Sequence, residues 1–156
     1  MSATVDAEDD ARPALIAIEH DDYHAEYVGH LADGRQFFLT TPFIPGHGSH
    51  PGEEFVALYL FHQDGRLADS KIDSFGPRET MDHTARRDLR DRRLRELGPV
   101  IFDRIEIAPF AIERFGVAFG LIVREPEGSD DLWTVSVEPG DYMAFFAPWD
   151  SGDYDT

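Results

Sequence analysis

Residues 55–61 read FVALYLF, a run with no charge and no polar group beyond the Tyr59 hydroxyl. A strand turns alternate side chains to opposite faces, so this strand needs apolar cover on both sides. A second run, VAFGLIV at 117–123, makes the same demand. The chain has little to cover them with. Its one clear helix lies in PRETMDHTARRDLRDRRLRELGP, residues 77–99, and is placed at about 79–97. Pro77 sits near its start, and Gly98-Pro99 stops it. Its apolar side chains, Met81, Ala85, Leu89, Leu94 and Leu97, drift around the axis instead of forming one stripe. Asp82–Arg86, Asp88–Arg92 and Asp91–Arg95 are spaced i,i+4 with the acid first, the favourable order for ion pairs along a helix. Such a helix covers one side of a sheet. The rest must be covered by the sheet curling on itself or by a second copy of the chain. The expectation is an α+β domain: a strongly curved, mainly antiparallel sheet of about seven strands with one helix on one face, and a homodimer as the second way to complete the core.

Local signals agree with antiparallel pairing. Asp33-Gly34 and Asp64-Gly65 each separate two β-rich runs, and Asp-Gly favours the positive backbone angles of a tight hairpin. Successive hairpins argue against a doubly wound parallel fold, which needs a helix between most strands. Pro109 removes a ladder donor and predicts an edge or a break. Residues 114–116 read as a turn, and 132–137 place Trp133, Val135 and Val137 on one face. Residues 1–12 read as a disordered acidic tail, and 13–156 as a single α+β domain.

Charge restricts function more than any motif does. Fourteen basic residues against thirty-one acidic ones give a net charge of −17. Nucleic acid is not an expected partner, because phosphate contact needs a basic surface. Residues 1–34 hold nine acids and Arg12 alone among basic residues; residues 125–156 hold nine acids and no Lys or Arg; six arginines crowd between Arg86 and Arg95. Acidic ends therefore flank one basic segment. No apolar run approaches the roughly 20 residues of a membrane span. The acidic start is unlike a secretory signal, and the absence of cysteine removes disulfides and thiolate chemistry. The expected location is cytoplasmic.

Two segments are candidate sites. His47, His50 and Glu53 are spaced three apart, but glycines and prolines among them forbid a helix. His20 and His24 add two imidazoles near Asp21 and Asp22. Metal ligation would need these segments to meet and be held rigidly. The other segment is the C-terminus, FFAPWDSGDYDT, where aromatic residues are interleaved with acids. Trp149, Asp150, Asp153, Tyr154 and Asp155 there suit a cationic protein surface with apolar hollows; the alternative is a terminal strand whose tryptophan docks on the core. No nucleophile elbow and no phosphate-cradling glycine loop is present, and no cofactor is implied.

IEIAPFAIERFGVAFGLI at 105–122, the APWDSGDYDT ending and the DGRQFF and FHQDGRL hairpins resemble a family of small acidic bacterial proteins often labelled formate hydrogenlyase regulatory protein. The resemblance spans most of residues 24–156. It implies a regulator of an anaerobic enzyme system and carries over no catalytic residue. Family members tend to end in a Pro-Trp-Asp-Gly turn; here Ser151 precedes Gly152. In size and charge the chain is also similar to immunity proteins that neutralise toxins with basic active sites. The expected function is a non-enzymatic regulatory or binding domain that engages a basic protein partner. The alternative is a metal-dependent hydrolase or small-molecule binder using His20, His24, His47 and His50.

Overall fold

The structure, a computed structural model, describes residues 12–128 and 131–156. The acidic tail expected at 1–12 lies outside the described residues apart from Arg12, which is exposed.

The apolar run at 55–61 becomes the centre of the molecule. It lies in β5 (Glu53–Phe61), within a sheet that also contains β2 (Val28–Leu31), β3 (Gln36–Thr40), β4 (Phe43–Ile44), β6 (Leu67–Gly76) and β7 (Val100–Phe102). β5 pairs with β6 on one side and with β3 and β4 on the other; β2 and then β7 continue outward, all antiparallel. Both Asp-Gly turns form the expected hairpins. Gly34 and Gly65 have φ of 92° and 96°. In each turn the aspartate accepts from the main-chain N–H and the Nε of the arginine two residues on, Arg35 or Arg66.

The two faces of β5 find different cover. Phe55, Ala57, Tyr59 and Phe61 point into one buried cluster with Val28 and Phe38. Val56, Leu58 and Leu60 point into another with Phe37 and Leu39. The first cluster is roofed by a second sheet: β9 (Phe110–Arg114), β10 (Val117–Arg124), β11 (Thr134–Glu138) and β12 (Ala144–Phe145), in the order β12-β11-β10-β9. A two-stranded pair, β1 (Ile16–Ile18) with β8 (Ile105–Ile107), adds four isoleucines to the same core. Phe55 meets Phe119 edge-on at 4.9 Å, and Tyr59 meets Phe110 at 4.7 Å. The second cluster is roofed by α1 (His83–Glu96) through the half-buried Leu89 and Leu94, with Leu97 just beyond it.

The α+β class and the antiparallel pairing therefore stand, and the architecture is corrected. Among the described residues there are twelve strands, not about seven, and they form three sheets instead of one strongly curved sheet. The chain breaks at Asp103-Arg104 and at Ala108-Pro109, which keeps β7 and β8 to three residues each and sends the following strands into a new layer. The expected demand of residues 117–123 for cover on both faces is met on one only. Phe119 and Leu121 are buried, while Ala118 is exposed. The outer face is small there. At Gly120 a Cβ would lie 2.1 Å from the Phe110 carbonyl oxygen, so the close approach of β9 requires glycine.

The helix begins later than its expected start at 79. Asp82 caps it by accepting from the Ala85 N–H at 2.9 Å, and residues 77–80 form a separate turn. Gly98, at φ 78°, ends it as expected. No residue of α1 is fully buried. None of the three expected i,i+4 ion pairs forms among the described residues. Arg86 reaches Glu54 on β5 at 2.9 Å, and Arg93 reaches Asp73 on β6 at 2.9 Å. No helix of the described residues is long and apolar enough to cross a membrane.

Candidate functional site

The C-terminal segment is stitched down residue by residue. Asp155 exchanges two main-chain hydrogen bonds with Ala144 of β12, at 2.8 and 2.9 Å. The Trp149 carbonyl accepts from the Ala17 N–H at 2.9 Å, and the Gly152 carbonyl accepts from the Glu19 N–H at 3.0 Å. Gly152 has φ 84°, and a Cβ there would lie 3.1 Å from the Glu19 Cβ, so this crossing of the two ends needs glycine. Trp149 and Tyr154 both pack on the main core. The Trp149 indole N–H is buried without a partner among the described residues. The Tyr154 hydroxyl donates to Asp21 and accepts from the His24 N–H at 3.1 Å.

The predicted partner-binding residues thus divide into two kinds. Trp149 and Tyr154 act as anchors within the fold. Asp150, Asp153 and Asp155 are exposed. The crossing brings residues 150–155 beside residues 19–22, which carry the acids Glu19, Asp21 and Asp22, so two acidic segments more than a hundred residues apart lie together. Of these six carboxylates, only Glu19 has an ion-pair partner among the described residues. That partner, Arg104, is shared with Glu106 and with the Asp150 carbonyl. Beside residues 150–155 lies a hollow of about 160 Å³, with Phe146 and Ala147 as apolar lining and Asp153 and Asp155 as acidic lining.

Asp21 is the structural joint of the crossing. Burial favours its protonated form, but the Tyr154 hydroxyl and the N–H groups of Tyr23 and Ala25 outweigh it and hold the carboxyl below its usual range. The Tyr154 phenol is pushed up to about 12, first by burial and then by its bond to that carboxylate.

The four candidate histidines occupy three separate places. His20 donates to the Glu26 carbonyl at 3.0 Å and stacks on Phe102. His24 enters a cleft between α1 and the central sheet. His47 and His50 face each other across an isolated bridge, and the His50 Nδ1 accepts from the Gly52 N–H at 2.9 Å. Among the described residues, no group of three or more His, Asp or Glu side chains is arranged to hold a metal ion.

The cleft beside α1 has a volume of about 290 Å³ and contains residues the sequence reading left out: Tyr27, Glu54, Arg78, Arg86, Arg90 and Tyr142. A larger hollow of about 600 Å³, walled by the His47–His50 loop, shares Phe43, Glu54 and Arg78 with it. Glu54 was the available signal: the second of two acids at the head of an apolar strand, with a side chain only 4% exposed. The helix arginines lie among Asp82, Asp88, Asp91 and Glu96, which compete for them along the sequence. In the structure Asp82 serves as the cap, Glu96 pairs with Arg93, and Arg86 is left for Glu54.

Comparison with known protein families, curated proteins and solved structures gives no match to this chain.

Proposed function

We propose that the chain is a non-enzymatic binding or regulatory protein that presents its acidic face to a cationic segment of a protein partner. The observation that carries this reading is the crossing of the two acidic ends: main-chain bonds join Ala17 to Trp149 and Glu19 to Gly152, the Tyr154 hydroxyl donates to Asp21, and Arg104 reaches both Glu19 and the Asp150 carbonyl. Unpaired carboxylates on one side of a small protein create a field that attracts basic surfaces and speeds their encounter. The hollow at Phe146 suits the aliphatic stem of a lysine or arginine, whose charged end would reach Asp153 or Asp155. A basic toxin surface or a basic regulatory segment both have this chemistry. The likeness of residues 105–122 and 147–156 to the formate hydrogenlyase regulatory label agrees with a regulatory role and adds no residue to the site.

A peptide of alternating lysine and aromatic residues, titrated while amide resonances are followed, tests the reading. Shifts confined to residues 19–22, 104 and 146–155, weakening with salt, are expected. Replacing Asp150, Asp153 and Asp155 together by Asn should weaken binding at least about tenfold, the scale of two or three lost charge contacts. A matched triple replacement at Asp69, Asp88 and Glu127 removes the same charge elsewhere. Equal weakening by both triples would mean that bulk charge, and not this face, does the binding.

A further inference from the structure

The cleft between α1 and the central sheet carries the opposite chemistry. Arg78 and Arg86 donate to the same oxygen of Glu54, Oε1, at 3.1 and 2.9 Å. Arg90 directs Nε and Nη2 to Asp91 Oδ1 at 3.3 and 3.2 Å and lies over the Tyr27 ring, 5.3 Å from its centroid. A guanidinium has five N–H donors. Arg78 and Arg86 each give one to the protein among the described residues, which leaves most of their donors for solvent or a ligand. Three guanidiniums and two carboxylates, Glu26 and Glu54, line the cavity, and Asp91, hydrogen-bonded to Arg90, offsets the third positive charge, so the cleft is balanced overall and gathers cations with donors to spare in a chain of net charge −17. Glu54 is buried with its charge already met by two cations, and it serves as the post that holds Arg78 and Arg86 in place. Flat rings, among them His24, Tyr27, Phe43 and Tyr142, line the cleft together with Leu39, Thr40 and Thr41; the Tyr142 hydroxyl shares a hydrogen bond of 2.5 Å with Thr40.

We propose that this cleft binds a small oxyanion, a carboxylate or a phosphate, carried on a flat ring. The planar fork of arginine matches both oxyanions, and the aromatic walls accept a ring by stacking or edge contact. The cavity holds a ligand of about one ring and its anionic group; larger bodies extend past Arg78 into the hollow beside the His47–His50 loop. Burial keeps the His24 imidazole below its usual pKa, against the pull of Asp21, so at neutral pH it is an uncharged wall and not a fourth cation. The cleft shares no lining residue with the acidic segments and takes a ligand of opposite charge to theirs.

Titration with phenyl phosphate and with benzoate, followed by arginine Nε–Hε and amide resonances, tests the assignment. Saturable shifts at Arg78, Arg86 and Arg90 are expected from at least one of the two, and none from phenol. Inorganic phosphate should bind more weakly than phenyl phosphate. Arg78→Gln and Arg90→Gln should each weaken binding about tenfold, while Arg87→Gln, on the exposed side of the same helix, should leave it unchanged. Thermal unfolding of each variant checks that the fold persists; Arg78, already 65% exposed, is the variant least able to disturb it. Absence of saturable binding by both probes, undiminished affinity in both cleft variants, or an equal loss in Arg87→Gln would overturn the site. Inorganic phosphate binding as tightly as phenyl phosphate would remove the ring from the proposal.

Discussion

Both faces of the central sheet are apolar at β5, but one is roofed by a dry second sheet and the other by a helix edged with charge. On the dry side Phe55, Tyr59 and Phe61 meet a second sheet through interlocked aromatic rings. On the other side the same strand meets a helix with no fully buried residue, tied down by Arg86–Glu54 and Arg93–Asp73. Burial of apolar area is non-directional and gives most of a domain's stability. Ion pairs give less, but they place charged groups at defined positions. The dry side therefore holds the molecule together, and the helix side leaves a cleft whose cations are fixed in place.

That contrast breaks first under core truncation. Phe119→Ala should cost about 3–5 kcal/mol of stability in urea unfolding, from lost burial plus the cavity left behind. Leu94→Ala on the helix side should cost only about 1 kcal/mol, since that side chain is half exposed to begin with. Similar losses at the two sites would show that the helix layer contributes as much as the second sheet. Next in size is Arg86→Ala, at about 2 kcal/mol, because it leaves the buried Glu54 with only the exposed Arg78. Hydrogen exchange should then speed up in α1 while β5 and β10 keep their protection.

Acid separates the regions more gently. His24 and Asp21 both have folded pKa values below their ordinary ones, so in each case the unfolded chain binds the proton more readily. The stability from His24 is complete above its ordinary value of 6.5 and is lost as pH falls below it. That from Asp21 is complete above 3.8 and is lost as pH falls further, through its folded value. Unfolding midpoints measured against pH should show the upper loss flattened by His24→Gln and the lower one flattened by Tyr154→Phe. The smallest expected effect is that of Asp150, Asp153 and Asp155 replaced singly by Asn, each within about 0.5 kcal/mol, since these side chains are exposed and unpaired. A larger loss would give them a structural role that their surroundings do not suggest.

How much could be read in advance depended on how far each interaction reaches along the chain. The Asp33-Gly34 and Asp64-Gly65 hairpins, the break at Pro109 and the stop at Gly98 are decided by neighbouring residues, and all were legible. The division into three sheets was not, because two-residue strands such as β4 and β12 exist only through their partners. The site was half legible. The acidic ends and the arginine run stand out in the composition. Arg86 finds Glu54 thirty-two positions away, and Tyr154 finds Asp21 across 133. Spacing within the helix pointed instead to i,i+4 partners that the fold passes over. His20 and His24, only four positions apart, point to different neighbours, a divergence that their spacing does not reveal.

The twin turns also bear on how the protein ages. An aspartate followed by glycine is prone to cyclise: the glycine nitrogen attacks the side-chain carboxyl carbon, water leaves, and hydrolysis of the resulting succinimide reopens the chain as isoaspartate or aspartate. In both turns each carboxylate oxygen is engaged by the next arginine, one by its main-chain N–H and the other by its Nε. A carboxylate clamped in this way is ionised, a poor electrophile, and hindered from turning toward the glycine nitrogen. Arg35 and Arg66 thereby act as preservatives for the two corners, and Arg35→Ala or Arg66→Ala protein should accumulate isoaspartyl peptide faster on storage, as peptide mapping would reveal.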